Sequence, residues 1–205
     1  MDDENLSNRL DELGLSVELK EYTPDPEELS TWAALISYWE DWSSDALEEV
    51  NREDVDDHLR RVLGYGHETV IEHANFTFAI EGCSRVCTHQ LVRHRLASYT
   101  QQSQRYVKIE EDEEKVFQLP DSIKGSELED EVRDHYRDSM DLYEDLLDAG
   151  IPKEDARFVF PQSVRSKIVV TMNARELLHF FNLRTCYRAQ WEIREMAWSM
   201  LKQVK

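Results

Sequence analysis

Acidic residues are spread very unevenly along this chain, and that unevenness constrains its folding more than any other feature. The 205 residues carry 43 Asp and Glu against 24 Lys and Arg, a formal net charge of −19. Between Gly82 and Ile109 there is no acid at all, where the average density would place roughly six. Ala156–Arg175 and Leu177–Trp191 are acid-free as well. All three segments are also cationic: the first holds Arg85, Arg93, Arg95, Arg105 and Lys108, the second Arg157, Arg165, Lys167 and Arg175, the third His179, Arg184 and Arg188. Each is too short to be a domain, so the three are expected to converge on one electropositive pocket.

Buried strands and helices also exclude acids, and this explains the apolar run Lys167–Met172. It does not explain Arg93–Arg105, RHRLASYTQQSQR, which is polar and cationic. The planar fork of arginine donates two parallel hydrogen bonds to phosphate or carboxylate. Ser98, Tyr99, Thr100, Gln101, Gln102 and Ser103 add short donors for phosphate oxygens and base edges. The segment therefore reads as a binding site for a phosphate-bearing small molecule.

The overall charge argues against nucleic acid and anionic membranes as partners, and a surface this acidic also suits concentrated salt. Three cysteines, Cys83, Cys87 and Cys186, have no disulfide-framework spacing and point to a reducing compartment. The opening MDDENLSNRLDEL lacks the apolar stretch of a signal peptide, and no apolar run approaches the ~18 residues of a membrane span. A soluble, cytoplasmic protein is expected. Its length suits one domain, and 40% apolar residues suffice for a core.

Six glycines and five prolines leave most of the chain to regular structure. Residues 1–22 read as a loosely docked acidic arm ahead of a domain over 23–205. Apolar spacing predicts helices over about Pro26–Asp41, Val55–Leu63, Cys83–Val92, Leu128–Leu147, Arg175–Phe181 and Ala189–Val204. His67–His73 is compatible with a short helix. Asn75–Ile80 alternates as a strand, and Val164–Met172, with Ile168-Val169-Val170, reads as a buried strand. Ala97–Gln104 reads as a polar loop and Glu110–Glu114 as a solvated one. The pattern is α+β and helix-rich.

Several chemistries are opposed by the motifs. No HExxH or CxxC is present, so no metal site is expected; Cys83 and Cys87 read as buried thiols. Neither GxxxxGK[ST] nor GxGxxG occurs, so side chains rather than a glycine loop must bind phosphate. Cys186 lies near Arg184 and Arg188, which would lower its pKa, but a pocket-lining role is preferred over a nucleophilic one.

The segment RHRLASYTQQSQR resembles the signature of flavin-dependent thymidylate synthases: Arg93, His94, Arg95, seven residues, then Ser103. GHETVIEH (Gly66–His73), THQLVRHR with Gln90, ARFVFP (Ala156–Pro161), MNARELLHFFNLR (Met172–Arg184) and AQWEIR (Ala189–Arg194) are similar to further family motifs in order. The resemblance spans roughly Leu63–Val204.

This resemblance implies a thymidylate synthase-complementing-like fold, with a central, mainly antiparallel sheet in one helix-rich domain. It implies a homotetramer with active sites shared between subunits. The implied reaction is reductive methylation of dUMP to dTMP, with methylenetetrahydrofolate as carbon donor, NADPH as reductant and FAD as cofactor. FAD would meet His67, Thr69, Arg93, His94, Arg95, Gln101, Asn173, Arg175 and His179. The nucleotide would meet Gln90, Arg93, Gln101, Ser103, Gln104, Arg105, Arg157 and Arg184. Arg184 would lie against the uracil, whose C5 is nucleophilic only if negative charge develops on its N3/O4 side; a fixed guanidinium stabilises that charge. Flavin-dependent hydroxymethylation of a pyrimidine nucleotide is the alternative reaction, and a flavin-binding regulator without turnover is the non-enzymatic one. Covalent attack by Ser103 is a further alternative, disfavoured because no general base accompanies it in the sequence.

Overall fold

The computed structural model describes residues 3–40, 54–109 and 113–205. Helix α1 (Asp3–Leu13) and strand β1 (Ser16–Tyr22) come first. Helices α2 (Pro26–Ile36) and α3 (Val55–Gly64) follow, then a 3-10 turn at Glu68–His73. Strand β2 (Asn75–Ser84) runs directly into α4 (Arg85–Leu91), and β3 (Ala97–Gln101) comes next. Short α5 (Glu113–Val116), long α6 (Glu129–Asp148) and α7 (Lys153–Ala156) with its 3-10 continuation (Arg157–Val159) precede β4 (Arg165–Asn173). Helices α8 (Ala174–Arg184) and α9 (Trp191–Gln203) follow. The strands form one antiparallel sheet in the order β1-β2-β4-β3, so the chain is helix-rich α+β as expected.

The chain divides into two compact units. The first comprises Met1–Val17, Ala79–Arg93 and Thr100–Val169; the second comprises Glu18–Phe78, His94–Tyr99 and Val170–Lys205. The first has a core of Val116, Phe117, Leu119, Tyr136, Met140 and Val164. Phe117 stacks on Tyr136 at 4.6 Å, a contact worth about 0.5–1.5 kcal/mol beyond the area it buries. In the second, α8 buries Leu177, Phe180 and Phe181, and α9 buries Ile193, Met196, Ala197 and Met200. Both sets recur at three- and four-residue spacing, one stripe of each helix.

Residues 3–22 are structured rather than a loose arm. Leu6, Leu13 and Leu15 are buried, Leu13 completely. The acids of α1 dominate its composition, but its leucines fall on one face and take it into the core. Gly14, at φ +60°, ends the helix, and the N–H of Leu15 reaches back to the Leu10 carbonyl. The Gly14 carbonyl oxygen then lies against Gly82 of β2, where a side-chain carbon would sit only 1.9 Å away. Gly82 has φ +79°, which again favours glycine.

Other elements differ from expectation in instructive ways. Ala97–Gln101 is a strand, not a loop: it lies at the edge of the sheet, where polar side chains are tolerated. Cys83 and Ser84 end β2 instead of starting a helix; the Ser84 hydroxyl accepts from the Cys87 N–H at 3.1 Å and caps α4. Strand β4 is buried on one face only, through Ser166, Ile168, Val170 and Met172, while Val169 is exposed, as in an antiparallel sheet covered on one side. Helix α2 ends at Ile36; Asp41, its expected limit, lies outside the described residues, as do 110–112 of the acidic run. No helix among the described residues is long and apolar enough to cross a membrane.

Candidate functional site

In the Arg93-His94-Arg95 triplet the central residue turns inward and its neighbours outward. His94 is 5% exposed, whereas Arg93 and Arg95 are exposed. Helix α4 ends at Leu91, and the Val92 N–H closes it onto the Thr88 and Gln90 carbonyls. The tight reversal that follows drops the His94 imidazole edge-on against the Phe180 ring, 5.0 Å between centroids, with His179 at 6.0 Å. The Tyr99 hydroxyl donates to the His94 carbonyl at 2.7 Å.

The imidazole bonds at both nitrogens. Nδ1 is 3.3 Å from Glu176 Oε1, and Nε2 is 3.1 Å from Arg184 Nε. Arginine can only donate, so Nε2 carries the lone pair and Nδ1 carries the proton that Glu176 accepts. Burial pushes the His94 pKa down, Arg184 adds to this, and the Glu176 charge opposes it; the imidazole is held neutral. Glu176, 6% exposed, is fixed at the start of α8, where its N–H bonds Asn173 Oδ1 at 2.9 Å.

Beside this group lies an open cavity of about 590 Å³ in the second unit. Its walls include Leu63, Ile71, Leu96 and Leu178, with Arg175, His179, Asn182, Glu68 and Glu176 as polar groups. Apolar walls with a few polar groups are the usual make-up of a small-molecule site. Arg175 reaches Glu68 at 3.0 Å and Glu72 at 2.5 Å, so two carboxylates already neutralise it.

In the first unit the turn after β3 is closed by the Tyr106 and Val107 N–H groups, both bonding the Ser103 carbonyl. Ser103 Oγ accepts from the Arg105 N–H at 3.3 Å, and no histidine or carboxylate bonds it among the described residues. The Arg105 guanidinium pairs with Glu154 at 2.6 Å, and Arg157 Nε donates to the Glu154 carbonyl at 3.0 Å. Gln101 donates to the Thr88 hydroxyl at 3.3 Å, and Gln90 to the Val86 carbonyl at 3.4 Å.

The residues expected at the flavin and at the nucleotide fall largely into different units. His67, Thr69, His94, Arg95, Asn173, Arg175, His179 and Arg184 belong to the second; Gln90, Arg93, Gln101, Ser103, Gln104, Arg105 and Arg157 belong to the first. In the second unit the first and third acid-free segments meet, at His94 and Arg184. In the first unit the first and second meet, at Arg105, Glu154 and Arg157. Glu68, Glu72 and Glu154 come in from outside those segments and sit beside the arginines, and Glu176 sits beside the neutral His94. Asn173 caps α8 with its carboxamide oxygen, a structural task alongside any contact it makes to a cofactor.

Glu176 was not singled out by sequence reasoning, although a signal existed: it is the lone acid between Ala156 and Trp191. Of the thiols, Cys83 and Cys87 are fully buried. Cys186 is half-buried, its pKa lowered by the backbone N–H and then the guanidinium of Arg188.

The family model described as thymidylate synthase complementing protein matches residues 18–205, from within β1 onward. A protein from Pyrococcus abyssi named flavin-dependent thymidylate synthase is 60% identical over 190 residues, covering 92% of this chain and 78% of its own. Proteins of the same name from Pyrococcus horikoshii and Geobacter sulfurreducens are 62% and 47% identical, each covering 93% of this chain and 79% and 82% of their own. Among solved structures, a UMP/dUMP methylase, PolB, from Streptomyces cacaoi, crystallised with 5-Br dUMP, is similar with a TM-score of 0.78 and 25% identity, over 93% of this chain and 89% of that one. Together with the RHR-x7-S signature, these matches show that the chain belongs to the flavin-dependent thymidylate synthase family.

Proposed function

We propose that this protein methylates dUMP reductively to dTMP, using FAD, with methylenetetrahydrofolate as carbon donor and NADPH as reductant. The observation that carries the reading is Arg184. Its guanidinium is anchored through Nε on a neutral histidine and has no carboxylate partner among the described residues. That leaves its two terminal nitrogens for a ligand. A guanidinium so held stabilises negative charge developing on the N3/O4 side of uracil, the condition for C5 to act as a nucleophile.

The 590 Å³ cavity fits a flavin ring: Leu63, Ile71, Leu96 and Leu178 suit its flat faces, and His179, Asn182 and Arg175 its polar edge. When bound, FAD supplies the redox chemistry. His67, Thr69, Arg93, Arg95, Gln101 and Asn173 complete its binding, with His94 behind Arg184. Gln90, Gln101, Ser103, Gln104, Arg105 and Arg157 hold dUMP, its phosphate at the Ser103–Arg105 end. For Arg105 to reach the phosphate it must exchange Glu154 for it, a swap between anions at an exposed site. Leu96 and Leu178 are 67% and 55% exposed in the isolated chain. Apolar walls that open argue for a homotetramer in which neighbouring subunits complete the site. Free cysteines fit a cytoplasmic location.

The test is an absorption spectrum and a coupled assay. Purified protein should show the yellow flavin spectrum, and NADPH oxidation should accelerate when dUMP is added. Mass analysis of the product should give the methyl and not the hydroxymethyl nucleotide. Protein that stays colourless after addition of FAD refutes the reading.

A further inference from the structure

The arginines of the acid-free segments are neutralised in two different ways. Arg175 touches Glu68 and Glu72 directly, and Arg105 touches Glu154. Arg184 touches no carboxylate among the described residues; the imidazole of His94 stands between it and Glu176. We propose that Glu176 is a positioning residue: it locks His94 in the Nδ1–H tautomer, so that Nε2 can accept from Arg184 Nε and aim the guanidinium. The proposal rests on the function above in one respect, that Arg184 meets the substrate.

The geometry permits only one proton arrangement. Arg184 donates to Nε2, and Nδ1–H donates to Glu176 Oε1, so every donor in the chain faces an acceptor. The opposite tautomer would set an N–H against the guanidinium and a lone pair against the carboxylate. Glu176 is itself held by the Asn173 cap and by the first turn of α8, where the helix dipole favours an anion. Glu176 and Arg184 thus balance in charge without contact, and no carboxylate occupies the terminal nitrogens of the arginine. A buried carboxylate is costly, and an apolar side chain would pack here at lower cost if packing were its only task. The groups facing the imidazole are Glu176, His179 and Arg184 from α8 and the Tyr99 hydroxyl below its carbonyl; Arg93 and Arg95 flank it and are exposed.

The experiment compares the FAD-loaded wild type with Glu176→Gln and Glu176→Ala. Histidine ¹⁵N spectra, with His94 assigned by its loss in His94→Gln, should show Nδ1–H in the wild type and in Glu176→Gln, whose amide oxygen still accepts. Glu176→Ala should show a mixture of tautomers. The kcat of Glu176→Ala should fall by on the order of 10- to 100-fold, the scale of a misplaced reacting group, with KM for NADPH unchanged. Glu176→Gln should recover most of kcat. Because the anion that favours protonated His94 is gone, its acid limb should move to lower pH. A folded Glu176→Ala with wild-type kcat overturns the proposal, as does an Nε2–H tautomer in the wild type. If the alanine variant does not fold, an unmoved acid limb in Glu176→Gln overturns it. A wild type without dUMP-dependent turnover would instead refute the proposed function, while the tautomer spectra would still decide the role of Glu176.

Discussion

Replacing Gly82 with alanine should be one of the more damaging single-methyl changes available in this protein. Two costs add. At φ +79° an L-residue is strained by about 1–2 kcal/mol. The new carbon would also lie 1.9 Å from the Gly14 carbonyl oxygen, less than real side-chain carbons approach, and the obstacle is backbone on both sides. Forcing such a contact apart costs about 1–3 kcal/mol. The sum is roughly 2–5 kcal/mol, and at about 2–4 °C per kcal/mol for a chain of this size the melting temperature should fall by roughly 4–20 °C. Gly125→Ala is the control: φ is +73°, but nothing lies within 4 Å, so only the conformational cost applies. Urea titrations of both variants, with equal m-values, would isolate the contact term. If Gly82→Ala is no less stable than Gly125→Ala, the Gly14–Gly82 contact does not hold α1 and β1 as described.

Three further outcomes follow from the site. Arg184→Ala should retain FAD but lose about 10²–10³ in kcat, and Arg184→Lys should recover little, since one ammonium cannot both anchor on His94 and present a fork; wild-type rates in either remove Arg184 from its role. His94 has a folded pKa below its ordinary value of about 6.5, so its contribution to stability is fully present above that pH and is lost as pH falls through the folded value. Thermal stability and kcat should therefore decline together on the acid side in the wild type, and His94→Gln should lack that step; an identical acid profile in the variant would contradict the assignment. Ser103→Ala should raise KM for dUMP by roughly 10- to 100-fold, a lost hydrogen bond of about 1.5–3 kcal/mol to a charged group, with turnover retained; complete loss of turnover at saturating dUMP would favour covalent attack by Ser103.

Much of this protein was legible in the residues alone. The helices with repeating apolar stripes, such as Trp191–Gln203, announce themselves because burial on one face imposes a 3.6-residue period. The RHR-x7-S segment stood out because cations without acids are conspicuous on a chain of −19. Edge strand β3 was not legible, since its alternation is polar on both faces, and α1 was hidden because its acids outnumber its leucines. The placement of the residues inside the signature was decided only by tertiary structure. Arg93, His94 and Arg95 are adjacent letters, yet one is buried and two are exposed, and this depends on where α4 ends and α8 packs. Glu154, Glu68 and Glu72 join Arg105 and Arg175 from distant positions, and sequence composition cannot register charges that arrive through folding. Sequence singled out the cationic segments; the packing of α8 against the His94 turn determined that Arg184 is anchored on a histidine and not on a carboxylate. The physical reason is that charge and hydrogen bonding act over a few ångströms in space, whatever the separation along the chain.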